Sequence, residues 1–142
     1  MWCVVTQSSV QAGSSDDDWP MFCHDPAHTG ATTSAGPINL TELWRYKEEI
    51  ADTHFSSPSS PAVAKGIAYF CSNWDGKTDY GCRIYALNAY TGAKKWSVSI
   101  DNNHISSSPA VSENRLFIGV RNDVIALDAL SGAKIWCRLL IG

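Results

Sequence analysis

Three stretches of this sequence bring together side chains able to do chemistry. His24-Asp25-Pro-Ala-His28 offers two imidazoles and a carboxylate that could orient one of them, the beginning of a zinc centre. Such a centre needs a third ligand and a backbone that turns both rings inward. Pro26, Thr29 and Gly30 favour a loop instead, and no third ligand stands nearby, so the expectation is a hydrogen-bonded structural loop and no metal site. Asn73-Trp-Asp-Gly-Lys-Thr-Asp79 collects the oxygen donors that calcium takes, but follows neither the EF-hand nor the nonapeptide pattern. It reads as a surface hairpin extension, with Trp74 and Tyr80 exposed as a contact surface. Finally, His104 stands close to Ser106-Ser-Ser-Pro109, which places hydroxyls near an imidazole. There is no Gly-x-Ser-x-Gly elbow, so this stretch reads as the entry to a strand and not as a triad. A glycine-rich phosphate loop is absent as well. No catalytic residue is assigned.

Bulk properties narrow the field further. The 142 residues suffice for one modest core, and 44% hydrophobic with 18% charged residues is ordinary for a globular chain. Net charge is −3 and the pI about 5.7, with no run of Lys or Arg, which argues against nucleic acid or an anionic membrane surface as partner. No apolar stretch approaches the roughly 20 residues of a membrane span. Residues 1–18 read as a disordered leader or the remnant of an export signal. Val10-Gln-Ala-Gly13 is similar to a signal-peptidase site, but a basic start is missing and the apolar patch from Met1 to Val5 is short. The five cysteines, Cys3, Cys23, Cys71, Cys82 and Cys137, form no CxxC pair.

What must position any site is a repeat. Ile84-Tyr-Ala-Leu-Asn-Ala-Tyr-Thr-Gly-Ala-Lys-Lys-Trp96 returns 40 positions later as Val124-Ile-Ala-Leu-Asp-Ala-Leu-Ser-Gly-Ala-Lys-Ile-Trp136. Upstream, Ser59-Ser-Pro-Ala-Val63 returns as Ser107-Ser-Pro-Ala-Val111, so the first unit is eight residues longer between its two blocks. Leu43-Trp-Arg-Tyr46 matches the Trp-centred end of a further, partial copy. A period near 40 is that of a four-stranded propeller blade.

Strand signals divide each unit accordingly. In the second, strands are expected over 107–112, 115–120, 124–128 and 134–140, with turns at Glu113-Asn114, Arg121-Asn-Asp123 and Ser131-Gly132. In the first they fall near Ala62 and over 67–72, 83–87 and 94–100. No helical stripe is present. The fold class is therefore all-β: a partial propeller of two four-stranded antiparallel blades, about 59–100 and 107–141, plus one extra N-terminal outer strand. Cys71 and Cys82 close the second strand and open the third of the first blade. Antiparallel neighbours come near enough for a disulfide if the inserted loop shifts register, and that bond is the expectation.

Ala86-x-Asn88-x-x-Thr91-Gly92-x-x-x-Trp96 and Ala126-x-Asp128-x-x-Ser131-Gly132-x-x-x-Trp136 resemble the tryptophan-docking motif of pyrroloquinoline-quinone-like propellers. Trp19-Pro-Met-Phe-Cys-His-Asp-Pro-Ala-His-Thr-Gly30, inside a lead-in over 19–41, is similar to the opening of exported members. The motif makes physical sense. An indole fills a blade interface, a small Ala lets it lie flat, and Gly allows a positive φ beneath it. Asn88 or Asp128 can bond amides of its own turn. Trp96 and Trp136 are thus expected to be buried between blades.

Two functions follow from the resemblance. One is a non-catalytic scaffold for protein contacts, like the outer-membrane assembly lipoproteins, with a protein partner or the remaining blades as its contacts. The other is a quinoprotein dehydrogenase that oxidises alcohols or sugars and holds the quinone with calcium on the propeller axis. The catalytic Asp, calcium ligands and adjacent-cysteine disulfide of that class match no position here. The scaffold reading, extracytoplasmic and without cofactor, is therefore preferred to the enzyme.

Overall fold

The computed structural model describes residues 2–6, 18–33, 42–47, 54–56, 59–75, 80–101, 103–105 and 107–140. Outside them lie the Val10–Gly13 stretch, Asp16 and Asp17, lead-in positions 34–41, residues 76–79 of the polar loop, and Ser106.

The described residues form eleven strands and no helix. β1 (Trp2–Thr6) pairs antiparallel with β2 (Glu42–Lys47) in a two-stranded ribbon. The first blade holds β3 (His54–Ser56), β4 (Ala62–Ala64), β5 (Ile67–Asp75), β6 (Tyr80–Asn88) and β7 (Lys94–Asp101). The second is β8 (Ala110–Ser112), β9 (Arg115–Val120), β10 (Asp123–Asp128) and β11 (Lys134–Leu139), in that spatial order. The antiparallel meander expected from the repeat is borne out in both blades.

Tight turns follow the residues that permit them. Lys65-Gly66 and Glu113-Asn114 all have positive φ, between 48° and 71°. This is the pattern of two-residue hairpin turns whose twist matches that of the flanking strands.

The innermost rank of each blade is broken in two. β3 and β4 lie end to end along β5, against Asn73–Asp75 and Ile67–Tyr69. In the second blade Ile105 bridges Val120, while β8 pairs with the start of β9. Ser107 fills that break, its hydroxyl joined to the amide of Gly119 at 2.7 Å and to the carbonyl at 3.3 Å.

Burial shows which faces are covered. β5 is buried almost throughout, whereas β9 alternates between buried and half-buried residues. The first blade is packed on both sides: Ile84, Tyr69 and Cys71 meet Leu116, Ile118 and Leu127 of the second, and Phe70 with Tyr85 meets Trp44 and Tyr46 of β2. A strand covered on both faces must be apolar at successive positions, while one covered on a single face needs only every other.

Several expectations are corrected. The single N-terminal outer strand is a pair, since Trp2–Thr6, expected in a disordered leader, forms β1. Asn73 to Asp75 belong to β5 and pair with both β3 and β6. Trp74 is 8% exposed and not a contact surface. Its ring lies over Gly81, where a Cβ would come within 2.5 Å of it, and the Arg83 guanidinium sits 5.5 Å from the ring centre.

The Cys71–Cys82 disulfide is not formed. Cys71 faces Ile84 and Cys82 faces Asn73, so the two sit on a diagonal. Diagonal residues are about 7–8 Å apart, beyond the usual span of a disulfide. Cys82 instead directs its thiol to the Ile100 carbonyl at 3.7 Å. Burial pushes the Cys71 thiol up to about 12, with Cys82 adding to it. In native protein at pH 8, Cys137, which is exposed, should react with a thiol reagent while Cys71 and Cys82 stay silent. Unfolding without reductant should release both, as mass spectrometry of the labelled chain would show. A pair that stays unlabelled until reduced would contradict this register.

Candidate functional site

The residues singled out by the repeat converge on the interface between blades. In the first copy, the Asn88 side chain accepts from the amides of Tyr90 and Thr91, both at 2.9 Å, and its carbonyl accepts from Gly92 at 2.9 Å. In the second, Asp128 accepts from Leu130 at 3.1 Å, Ser131 at 2.8 Å and the Ser131 hydroxyl at 2.7 Å. That hydroxyl, followed by the amides, holds the Asp128 carboxyl below its ordinary range. Thr91 and Ser131 close the turns by accepting from Ala93 and Ala133 at 3.4 Å.

These turns present a glycine and a carbonyl to the preceding outer strand. Trp96 donates from Nε1 to the Ala129 carbonyl at 3.0 Å, and Tyr69 donates its phenol to the same oxygen at 3.1 Å. Gly132, at φ +75°, lies directly under the Trp96 ring, where a Cβ would stand 2.8 Å from Cε3. One unit earlier the same arrangement recurs: Trp44 donates to the Ala89 carbonyl at 3.0 Å and covers Gly92. Ala86 and Ala126, fully buried, face Trp96 and Trp136 across the strand pair. Trp96 and Trp136 are half-buried and not fully enclosed, because both stand on the outermost rank. They tilt over Tyr69 and Phe117 with the same geometry, 6.0 Å and 47°. Sequence reasoning missed Tyr69 and Phe117, although their equal distance from Pro61 and Pro109 was a legible signal.

A second tie between the blades lies at their inner strands. Trp19 exchanges both backbone hydrogen bonds with Val63 of β4, at 2.7 and 2.8 Å, and the Pro20 carbonyl accepts from Val111 of β8 at 2.8 Å. Asp18 accepts from the Lys65 amide at 2.9 Å. The lead-in is thus stitched across both inner edges. Asn73 adds a clasp of its own, giving one hydrogen bond to Ile105 at 3.0 Å and taking one at 2.9 Å.

The two histidines do not converge. His24 packs edge-on against Trp19 at 4.8 Å, while His28 packs against Phe22 at 6.2 Å. Asp25 is the hub of this loop, accepting from the Thr29 hydroxyl and amide and lying 3.4 Å from His24 Nδ1. The Thr29 hydroxyl brings its carboxyl down to about 2.

Gly132→Ala should cost about 1–2 kcal/mol in backbone strain alone, with a further loss from lifting the indole, measured by denaturant unfolding. Gly30→Ala, also at positive φ but with open space around it, should show the strain without that further loss. The Tyr69 phenol is raised to about 12, first by burial and then by the Asp128 carboxylate. An unfolded tyrosine titrates near 10, so the stability it confers is whole below pH 10 and fades as pH rises towards 12. Tyr69→Phe should remove this alkaline loss at the expense of one hydrogen bond, about 1 kcal/mol, in unfolding curves taken from pH 8 to 11.5.

Residues 80–140 match the profile of the family described as outer membrane protein assembly factor BamB. The quinohemoprotein alcohol dehydrogenase ADH-IIG of Pseudomonas putida is 29% identical over 132 residues, covering 75% of this chain and 18% of that protein. ADH IIB of the same organism is 32% identical over 109 residues, covering 67% and 15%. The chain therefore spans less than a fifth of the curated relatives it matches. Among solved structures, a europium-containing methanol dehydrogenase aligns with a TM-score of 0.56 at 21% identity, over 70% of this chain and 19% of that one. BamB from Moraxella catarrhalis aligns with a TM-score of 0.52 at 20% identity, over 70% and 28%. At such identities the two structures speak for the β-propeller fold alone. With its repeated turn motif, its two blades and these matches, the chain carries β-propeller repeats of the pyrroloquinoline-quinone-like kind.

Proposed function

We propose that this chain is a non-catalytic propeller module, a protein-interaction scaffold within an exported or cell-surface protein. The observation that supports this most is how the recurring polar and aromatic side chains are used. Asn88, Asp128, Thr91, Ser131 and Trp96 spend their hydrogen bonds on turns and on the neighbouring blade. The match of residues 80–140 to an outer-membrane assembly factor family points the same way, and to an extracytoplasmic location. No helix among the described residues is long and apolar enough to cross a membrane.

The dehydrogenase reading is favoured by the two quinohemoprotein relatives. A quinone held with calcium needs several carboxylate and amide donors converging on one point. Among the described residues no three His, Cys, Asp or Glu side chains come together, and Asp25 is turned onto Thr29. The described carboxylates Asp25 and Asp128 are engaged by their own loop and turn, which supports the scaffold reading over the enzyme.

Titrating the chain with pyrroloquinoline quinone and calcium, followed by tryptophan fluorescence and by alcohol-dependent dye reduction, separates the two readings. Neither a saturable fluorescence change nor dye reduction is expected. A one-to-one quinone complex that reduces dye with alcohol would establish the enzyme.

A further inference from the structure

The two blades differ where the broken inner rank meets the second strand. In the second blade the Ser107 hydroxyl is paired with the backbone of Gly119. That serine stands two residues before the Pro of Ser-Ser-Pro-Ala-Val and that glycine ten after it; counting the same way from Pro61 gives Ser59 and Cys71. The Ser59 hydroxyl is buried and has no hydrogen-bond partner among the described residues. It stands beside the Cys71 thiol, where it partly counters the rise that burial imposes on that group. Cys82 shares the same face of the sheet, since Cys71 faces Ile84, Cys82 faces Asn73, and both thiols line the core between the blades. Both cysteines are wholly enclosed. Two thiols and a hydroxyl therefore meet in an apolar interface, at a place where the second blade has glycine.

We infer that Cys71 and Cys82 form a two-coordinate site for a soft monovalent cation, copper(I), with Ser59 as its hydrogen-bond donor. The span between the strands separates a direct bond from a bridge. Diagonal neighbours stand about 7–8 Å apart, too far for a disulfide, whose sulfurs are only about 2 Å from one another. Two thiolates on one metal are separated by two metal–sulfur bonds of about 2.3 Å each, or about 4.6 Å when the three atoms lie in line. An interposed ion thus adds the length that a disulfide lacks. Ligand type and number then select the ion. Thiolates favour soft cations. Two ligands in line satisfy copper(I), whereas zinc(II) seeks four and calcium takes oxygen. Among the described residues no third His, Cys, Asp or Glu joins the pair. As Cu+ enters, the two thiols release their protons; copper keeps its oxidation state and no sulfur is oxidised. The complex then carries one negative charge in an apolar interface, which is costly unless a donor faces it. Ser59 is that donor, and its O–H, turned onto the Cys71 sulfur, gains the partner it lacks.

The test uses the 142-residue chain carrying Cys3→Ser, Cys23→Ser and Cys137→Ser, so that only the enclosed pair offers sulfur. The folded protein is brought to equilibrium, without oxygen, with copper(I) held by the coloured chelator bicinchoninate. Transfer of one copper per chain is expected, and X-ray absorption should show two sulfur neighbours and no nitrogen. Cys71→Ser and Cys82→Ser should each abolish the transfer. Ser59→Ala, which keeps both thiols, should weaken binding about tenfold or more, the worth of one hydrogen bond to a charged sulfur. X-ray absorption reads the unaltered pair, so the assignment stays open to refutation even if a cysteine variant fails to fold. No transfer, full transfer to either single-cysteine variant, a nitrogen ligand, or unchanged affinity in Ser59→Ala would each overturn it.

Discussion

The structure depends on one contact: an indole N–H pointing at a backbone carbonyl across a blade interface, with a glycine beneath the ring. Trp96 over Gly132, bonded to Ala129, fixes how far the second blade stands from the first and at what rotation. The geometry is demanding on both sides. A Cβ at Gly132 would collide with the ring, and a side chain larger than Ala at position 126 or 86 would crowd the indole on its own sheet. The turn that offers the glycine is itself held by Asn88 or Asp128, so a polar residue at the surface governs the spacing of an apolar interface.

The Trp, the Gly, the small Ala and the turn-holding Asn or Asp were legible in the sequence because each is a local residue preference repeated at a fixed interval, whereas the bond from the indole to the Ala129 carbonyl was not. Trp, Gly, Asn or Asp and the small Ala each have one conformational reason to stand where they do. What was not legible depended on pairings between distant segments. Nothing local marks His54–Ser56 as the strand that covers the far end of β5. Without it, Asn73 to Asp75 look like loop and Trp74 like an exposed ring. The cysteine pairing failed for a related reason, since a hairpin's register is set along its whole length and here runs unbroken from Ile67 to Asp75. Trp2–Thr6 looked like part of a leader because five residues have too short a pattern to identify without their partner strand.

The lead-in shows a different economy. Trp19 and Pro20 make three backbone hydrogen bonds to the two inner strands, and Asp18 just before them accepts a fourth from the Lys65 amide in the turn after β4. Backbone bonds tolerate substitution, so this segment can hold the blades together without a demanding side-chain pattern. The side chains are then available to the loop that follows, where Trp19 packs against His24 and Asp25 gathers the Thr29 hydroxyl.

The chemistry of the docking contact has a consequence for fidelity. A carbonyl, a glycine and an indole are the same at every interface, so the contact can join any unit to any other and cannot tell neighbour from stranger. Order around the array must come from what differs between interfaces. The Lys65 ammonium on Asn114 at 2.6 Å and the Asn73 clasp on Ile105 are such marks, since neither side chain recurs at the matching place in the other unit. A chain built this way gains new blades easily by duplication, and it guards against exchanging them with its copies only through a few polar residues outside the repeated motif.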